Sequence, residues 1–137
     1  MLDLAEISDR LEIQQLLVNY STAIDRRRFD DLDHVFTPTP TSTTARWAVS
    51  TAPTPMSRSG WRRCCRTFRP TSTCWVTSTS GWTATLSSRS ICFNPMKLDE
   101  SGRVLFCGLW YEDEFVRTAD GWRISRRVED KCIDKLV

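Results

Sequence analysis

The spacing of apolar residues separates a helical N-terminal part from a strand-rich C-terminal third. Over residues 4–25 the apolar positions recur mostly at steps of three and four, the period of an amphipathic α-helix. We predict one helix over 4–25 whose core face is formed by Leu4, Ile7, Leu11, Ile13, Leu17, Tyr20 and Ile24. A second, short helix is predicted over 30–35, with Phe36 turned inward after it.

The C-terminal third predicts antiparallel strands. A long strand over 103–117 is followed by the turn signal Thr-Ala-Asp-Gly at 118–121 and by a returning strand over 122–128. Alternation along the returning strand puts one face on Trp122, Ile124, Arg126 and Val128, and the other on Arg123, Ser125 and Arg127. A long helix, a short helix and then paired strands is an α+β order.

A run of three acidic residues interrupts the long strand at 112–114. Because neighbouring side chains of a strand alternate between its faces, one carboxylate of this run must point inward. Asp113 shares a face with Tyr111, Phe115 and Arg117. This face is therefore the part of the strand that can reach a pocket.

The composition changes abruptly between residues 39 and 88. No acidic residue occurs between Asp33 and Asp99, and Thr, Ser, Arg, Pro, Trp and Cys dominate the segment. Linkers are poor in Trp and Cys, and core segments need periodic aliphatic residues, so the segment fits neither class. Only three of the 19 basic residues are lysine, which indicates a gene rich in G and C. We interpret residues 39–88 as written out of frame; a true low-complexity insert is the alternative.

Undoing a shift of one base restores a plausible strand-forming sequence. Such a shift turns Asp and Tyr codons into Thr codons, Ala codons into Pro codons, and Ile or Val codons into Ser codons. The stretch around 82–85 then becomes Val-Asp-Gly-Asp, which is a hairpin signal. The interpretation therefore predicts strands and a hairpin within the segment.

Length and charge restrict the class of protein. A chain of 137 residues is one domain, 1–137, and its net charge of +2 is near balance. We see neither a signal peptide nor an apolar run of membrane length, and we expect a cytoplasmic protein. Shifted G/C-rich codons give Arg and Trp without selection for phosphate contact, so we expect no nucleic-acid partner. The six cysteines lack a zinc spacing, and we expect no metal, cofactor or structural disulfide.

The two ends of the chain resemble SnoaL-like domains of the NTF2-like superfamily. The opening string DRLEIQQLLVNYSTAIDRRRFDDLDHVFTP and the closing string GLWYEDEFVRTADGWRISRRV carry the resemblance. It implies an α+β cone, in which a curved antiparallel sheet wraps around the long N-terminal helix and opens to a small-molecule pocket. The opening string is most similar to the branch of scytalone dehydratase and bile-acid 7α-dehydratase. That branch implies acid–base elimination without metal or organic cofactor, and a homodimer or homotrimer.

Tyr20 and Asp25 are the candidate catalytic residues, because the related dehydratases carry Tyr and Asp at this spacing facing the pocket. A Tyr hydroxyl can polarise a carbonyl or protonate a leaving hydroxyl, and an Asp can orient a His base or accept a proton. Five residues leave two helical side chains about 140° apart, which favours Asp25 in the turn after the helix. The alternative is a core tyrosine and a capping or Arg-paired carboxylate.

The predicted substrate pocket is lined by Leu17, Phe36, Tyr111 and Asp113. We expect it to take a small hydrophobic molecule. Arg117 and Arg127 are assigned instead to ion pairs across the sheet, of small energetic value.

The catalytic histidine that the resemblance implies is absent from the sequence. In the restored frame its codon falls across Thr73. The one histidine present, His34, lies in the short acidic helix and is predicted to be a surface residue. A chain made with this sequence should therefore lack dehydratase activity.

Three functions remain open. The first is a lyase or isomerase acting on a cyclic, hydrophobic substrate, and the second is a non-catalytic domain that binds an apolar ligand or dimerises. The third takes the middle segment at face value, as a basic disordered insert that binds nucleic acid between two folded ends. A deep pocket with a restored histidine near Tyr20 would favour the first function. A pocket filled by side chains would favour the second, and salt-sensitive DNA binding the third.

The out-of-frame interpretation makes a prediction about mass. Protein purified after expression from the native gene should differ in intact mass from the 15.8 kDa of the chain described here. Peptides covering residues 39–88 should differ as well, whereas peptides from both ends should match. Electrospray mass spectrometry with peptide mapping makes the measurement, and an intact mass that agrees with this sequence refutes the interpretation.

Overall fold

A long helix lies against one mixed sheet. The computed structural model describes residues 3–45, 54–55, 69–70, 74–80, 85–97 and 103–136. Helix α1 is Leu4–Asp25, and the 3-10 helix η1 is Phe29–His34. The strands are β1 (Phe36–Ala45), β2 (Thr54–Pro55), β3 (Arg69–Pro70), β4 (Cys74–Ser80), β5 (Thr85–Lys97), β6 (Val104–Thr118) and β7 (Gly121–Leu136).

The C-terminal hairpin β6–β7 forms the middle of the sheet. The strand order is β2-β1-β7-β6-β5-β3, and β4 also pairs with β5. The predicted α+β architecture, a curved sheet packed on a long helix, is confirmed. The sheet is mixed rather than purely antiparallel, because β1 runs parallel to β7. No helix in the described part of the chain is both long and apolar enough to cross a bilayer.

Both predicted ends of α1 are confirmed. At the start, the Asp3 carboxylate caps the helix by accepting a hydrogen bond from the N–H of Glu6 at 2.7 Å. At the end, Arg27 has a φ of 57°, and the N–H of Arg28 donates to the carbonyl of Ala23 at 2.8 Å. A left-handed residue followed by this hydrogen bond is a common way for a helix to end.

The core face of α1 differs from the prediction in its first half. The buried residues are Ile13, Leu16, Leu17, Tyr20, Ser21, Ala23 and Ile24. Leu4, Ile7 and Leu11 are exposed, Leu4 to 85%. The step from Leu11 to Ile13 turns the helix by about 200°, so the two apolar stripes lie on nearly opposite sides. The prediction of a single core stripe along the whole helix is therefore wrong.

The predicted turn joins β6 to β7. Thr118 pairs with Gly121, whose φ of 98° lies in the left-handed region that glycine adopts without a steric penalty. The Thr118 hydroxyl donates to the carbonyl of Gly121 at 2.8 Å and accepts from the N–H of Asp120 at 3.2 Å. The returning strand continues to Leu136, eight residues beyond its predicted end.

A β-bulge in β7 reverses the faces of the strand beyond it. The register with β6 shifts between Ile124 and Arg126, so Ser125 is an extra residue. The Ser125 hydroxyl donates to the carbonyl of Glu114 at 3.1 Å and so ties the bulge to β6. Beyond it Arg127 is buried and Arg126 is exposed. The predicted faces of these two arginines are therefore wrong, because strict alternation does not survive a one-residue insertion.

The described parts of the segment 39–88 are strands of the same sheet. β4 pairs with β5 along its whole length, on either side of the predicted hairpin, whose connecting residues 81–84 lie outside the described ranges. β1 pairs with β7 through Ala45. For these stretches the alternative of a disordered insert is wrong. The out-of-frame interpretation itself stays a prediction.

Asp9 ties α1 to the C-terminal hairpin. Its carboxylate accepts a hydrogen bond from the indole Nε1 of Trp122 at 3.1 Å and forms an ion pair with Arg117. The guanidinium of Arg117 also lies over the ring of Trp122, 4.7 Å from its centroid. The hydrogen bond from Arg117 lowers the pKa of Asp9; burial opposes this, and the Trp122 hydrogen bond and the Arg117 charge add to it. Arg117 thus pairs with the helix, and the prediction of a pair across the sheet is wrong.

Asp9→Asn should lower the free energy of unfolding by about 0.5–1 kcal/mol at neutral pH, because exposed ion pairs contribute about that much. The Asn side chain can still accept from Trp122. Since the pKa of Asp9 is depressed by folding, its contribution is complete above the ordinary value of 3.8 and is lost as the pH falls through the lower folded value. Urea unfolding of both proteins should show that their difference in free energy of unfolding disappears below pH 3.8. A difference that stays constant into that range would contradict this assignment.

Candidate functional site

A row of polar side chains crosses the inner face of the sheet. The register aligns Ser88 of β5 with Asp113 of β6, and Asp113 with Arg127 of β7, and all three side chains are buried. The next inward row toward the hairpin turn is apolar and consists of Leu86, Phe115 and Ile124. The next row in the other direction contains Ser90 and Tyr111. The polar row is therefore closed by apolar side chains on the side of the hairpin turn.

The pair of Arg127 and Asp113 is the centre of this row. Nε of Arg127 donates to Oδ1 of Asp113 at 2.6 Å, and Nη2 donates to Oδ2 at 2.7 Å. Both side chains are 0% exposed. Two parallel charge-assisted hydrogen bonds fix the orientation of both groups. The predicted ion pair of Arg127 across the sheet is confirmed; it is fully buried, so removing one partner would leave an uncompensated buried charge.

Three aromatic rings surround the guanidinium of Arg127. Its central carbon lies 4.1 Å from the ring centroid of Tyr20, 4.4 Å from that of Tyr111 and 5.6 Å from that of Phe36. The Tyr20 ring meets Phe36 and Tyr111 edge-on, with centroids 5.8 Å and 6.2 Å apart. The π faces of these rings attract a cation, so they stabilise the charge that the sheet carries into the interior.

The charge on Arg127 is held firmly. Burial favours the neutral form, but the charge of Asp113 and its hydrogen bonds outweigh burial, with smaller contributions from Tyr20 and Tyr111, and the net effect raises the pKa of Arg127. The guanidinium therefore stays protonated at any pH at which the protein folds. It can donate hydrogen bonds and stabilise negative charge, but it cannot accept a proton.

Two serine hydroxyls add polar groups to the same interior. Ser88 and Ser90 are 4% and 0% exposed. Within the described part of the chain, neither Oγ atom has a hydrogen-bond partner. Each hydroxyl can donate one hydrogen bond and accept others. Unpaired buried hydroxyls next to an ion pair form an unusual lining for a protein core.

The structure brings together five of the six predicted site residues. Tyr20, Phe36, Tyr111 and Asp113 surround Arg127, and Leu17 is buried one turn of helix before Tyr20. The predicted facing of Tyr111 and Asp113 into the interior is confirmed.

Asp25 is separate from these residues. It is the last residue of α1 and its side chain is exposed, whereas Tyr20 is only 3% exposed. The helix continues through Asp25, so the expectation that Asp25 lies in the turn after the helix is wrong. The two side chains therefore keep the angular separation that a continuous helix imposes. A catalytic role for Asp25 stays a prediction. His34 is exposed, as predicted.

Sequence reasoning missed Arg127. The bulge at Ser125 that carries it inward has no signal in the alternation of polar and apolar residues. One signal was available: Asp113 was predicted to point inward, and a buried carboxylate needs a cationic partner. That argument narrows the partner to the arginines opposite Asp113 on the returning strand, without choosing between Arg126 and Arg127.

A metal centre has no support in the described ranges. No group of three or more His, Cys, Asp or Glu side chains comes together there. The one buried carboxylate of the polar row, Asp113, has both oxygens hydrogen-bonded to Arg127. These side chains can form hydrogen bonds, donate the proton of a phenol and stabilise negative charge.

A model of one protein family matches most of the chain. The model of the SnoaL-like domain matches residues 5–128. The chain is also similar to the uncharacterized protein Rv2910c of Mycobacterium tuberculosis strain H37Rv, at 51% identity over 142 residues. That match covers 100% of this chain and 95% of the mycobacterial protein.

Solved structures with the same fold have low sequence identity. The hexachlorocyclohexane dehydrochlorinase LinA-type3 from Novosphingobium barchaimii LL02 is 12% identical with a TM-score of 0.77, and the match covers 99% of this chain and 94% of that one. A scytalone dehydratase-like protein from Novosphingobium aromaticivorans DSM 12444 is 15% identical with a TM-score of 0.73, over 94% and 87% of the two chains. At these identities the similarity shows the fold alone.

Arg127→Met should lower the free energy of unfolding by about 3–5 kcal/mol, because it leaves the Asp113 carboxylate buried without its partner. The double change Asp113→Leu with Arg127→Met should lower the free energy of unfolding by much less, since it removes both charges and fills the space with apolar side chains. Urea unfolding monitored by tryptophan fluorescence measures both values. A double variant as unstable as the single one would show that packing on the rings, rather than the charge, dominates.

The neighbouring pair of Arg126 and Glu114 supplies a matched control. It lies one residue nearer the hairpin turn on each of the same strands, with an N–O distance of 2.7 Å and side chains 47% and 48% exposed. Arg126→Met should cost less than about 1 kcal/mol, because water replaces a lost surface ion pair. Equal costs for Arg126→Met and Arg127→Met would contradict the role given to burial.

Proposed function

We propose that this chain, which belongs to the SnoaL-like domain family, is a cofactor-independent lyase or isomerase that acts on a cyclic, hydrophobic substrate. One observation carries the proposal: a phenol, Tyr20, lies against a buried guanidinium in an interior that excludes water. Such a phenol can donate a hydrogen bond or a proton to a substrate oxygen in a low-dielectric site, where electrostatic effects are strong.

The names of the structural neighbours support the reaction class. One is a dehydrochlorinase and another resembles a dehydratase, and both words denote an elimination. Each elimination breaks a C–H bond and a bond from the neighbouring carbon to a leaving group, and forms a carbon–carbon double bond. A fold that serves two eliminations of different leaving groups supports the same class of chemistry for this chain. The substrate differs between them, so the neighbours do not define it.

The proposed step is the elimination of water from a β-hydroxy ketone. A base takes the proton next to the carbonyl, the C–H electrons form the double bond, and the hydroxyl leaves with a proton as water. Tyr20 either donates that proton or hydrogen-bonds the carbonyl oxygen, which gains negative charge in the transition state. Arg127 and Tyr111 support the hydroxyl of Tyr20 by fixing its ring.

The base is assigned to the histidine that the restored frame supplies across position 73, which lies outside the described residues. Asp25 is the second predicted participant, either as a proton acceptor or as a group that orients the histidine. In this proposal a chain without that histidine keeps the binding interior and loses the elimination.

A non-catalytic ligand-binding or dimerisation domain is the second candidate. It is favoured by the near-complete burial of the polar row and by the absence of any histidine from the sequence other than the exposed His34. From the family resemblance we further propose a single-domain, cytoplasmic protein that assembles as a dimer or trimer.

Tyr20→Phe separates the two candidates. Protein expressed from the native gene is incubated with a panel of cyclic β-hydroxy ketones, such as 3-hydroxycyclohexanone, and formation of the conjugated enone is followed by its ultraviolet absorbance. Loss of the phenol should lower kcat about a hundredfold or more, as expected when a general acid is removed, with a smaller effect on KM. Unchanged turnover would exclude Tyr20 as a proton donor. No turnover of any member of the panel would favour the binding domain.

Tyr111→Phe is the matched control for this experiment. It removes the other phenol that contacts Arg127 and keeps the ring on the guanidinium. If Tyr20 is the acid, Tyr111→Phe should retain most of the turnover. Equal losses in both variants would assign the effect to the environment of Arg127 rather than to one hydroxyl.

A further inference from the structure

Ser88 and Ser90 mark a feature of the interior that the proposed chemistry does not use. They occupy consecutive inward positions of β5, opposite Asp113 and Tyr111 of β6. Both side chains are buried, and within the described part of the chain neither hydroxyl has a hydrogen-bond partner. The intervening Ser87 is exposed on the other face of the strand.

Burying an unpaired hydroxyl costs stability. Water satisfies the hydroxyl in the unfolded chain, and folding removes that water without supplying a replacement. Alanine has nearly the same volume and would avoid this cost at both positions. Inward serines are therefore unfavourable as structural residues. Ser88 is the last residue of the segment interpreted as out of frame, but Ser90 lies beyond that segment, and a group that is absent from the free protein accounts for its buried hydroxyl.

The charges around the serines restrict the chemistry of that group. The positive charge of Arg127 is matched by Asp113, and both carboxylate oxygens of Asp113 accept hydrogen bonds from it. The polar row therefore has no net charge with which to hold an anion. A serine hydroxyl can donate to a carbonyl oxygen or accept from a hydroxyl group, so the fitting partner is an uncharged oxygen.

The surrounding rows restrict the direction of approach. Toward the hairpin turn, the polar row is closed by Leu86, Phe115 and Ile124, all of which are 2% exposed or less. In the other direction the row of Ser90 and Tyr111 follows, and the strands β5, β6 and β7 continue beyond it. The apolar row therefore closes the approach to the serines from the side of the hairpin turn.

We propose that Ser88 and Ser90 form a subsite that holds the uncharged oxygen, a ketone carbonyl or a phenolic hydroxyl, of a cyclic hydrophobic ligand. The subsite rests on the proposed function for the presence of a ligand in this interior, and it adds which atom of the ligand is recognised. The two serines determine specificity, and proton transfer does not involve them.

Three bicyclic probes test the subsite. 2-Naphthol carries an uncharged oxygen, naphthalene carries none, and 2-naphthoate carries a charged carboxylate. Their dissociation constants are measured by tryptophan fluorescence titration on the chain with the sequence described here. We expect 2-naphthol to bind about tenfold more tightly than naphthalene, the effect of one to two hydrogen bonds, and 2-naphthoate to gain no such advantage.

The double change Ser88→Ala with Ser90→Ala should abolish the preference for 2-naphthol. It should leave the thermal midpoint unchanged or raised, because it removes two unpaired hydroxyls. Ser87→Ala, on the exposed face of the same strand, is the control and should keep the preference.

Several outcomes would overturn the subsite. They are a lower thermal midpoint in the double variant, a preference for 2-naphthol that survives it, tighter binding of 2-naphthoate than of 2-naphthol, or no binding of any probe. The elimination assay distinguishes this failure from that of the proposed function. A protein that prefers 2-naphthol through the serines but turns over no β-hydroxy ketone keeps the subsite and loses the lyase assignment. A protein that turns over a ketone without the serine-dependent preference keeps the lyase assignment and loses the subsite.

Discussion

A buried positive charge is the constraint on which the interior of this protein depends. The guanidinium of Arg127 has no exposure to water, so its burial requires a carboxylate in hydrogen-bonding position, and Asp113 supplies both oxygens. The bulge at Ser125 is needed to bring Arg127 opposite Asp113, and the rings of Tyr20, Tyr111 and Phe36 complete the enclosure. A buried ion pair is seldom more stabilising than apolar residues of the same volume. Its presence here is therefore better explained by the fixed orientation that it gives to the polar groups of the interior than by stability.

The parts of the fold that local rules determine could be predicted. The ends of α1 follow from its apolar period and the change of composition after it, and the hairpin follows from Thr-Ala-Asp-Gly between two strands. The inward carboxylate follows from alternation, because only Asp113 of the acidic run shares a face with Tyr111 and Phe115. Each of these inferences needs only residues that are close in sequence.

Two features of the fold could not be predicted. One depends on a single inserted residue in a strand, and the other on which face of the helix contacts the sheet. The bulge at Ser125 turns Arg127 inward in place of Arg126. Strict alternation of strand faces cannot predict this bulge. The apolar residues Leu4, Ile7 and Leu11 have the spacing of a core stripe, yet they are exposed, because the sheet contacts the opposite side of α1. Periodicity gives the phase of a stripe along a helix, and only the tertiary structure decides which of two stripes is covered.

Ligand binding and catalysis need different groups in this interior. Its hydroxyls and its paired guanidinium can hold an oxygen-bearing ligand, and all of these groups belong to the described residues. An elimination also needs a proton acceptor, and Asp113 is poorly suited because each of its oxygens already accepts a hydrogen bond from Arg127. Taking a proton there would also leave the guanidinium without its counter-charge in a site that excludes water, which is energetically unfavourable. The base must therefore come from outside the polar row, and in the proposed function it is the histidine of the restored frame at position 73. Ser90 and Arg127 lie outside the segment interpreted as out of frame, whereas Ser88 is its last residue.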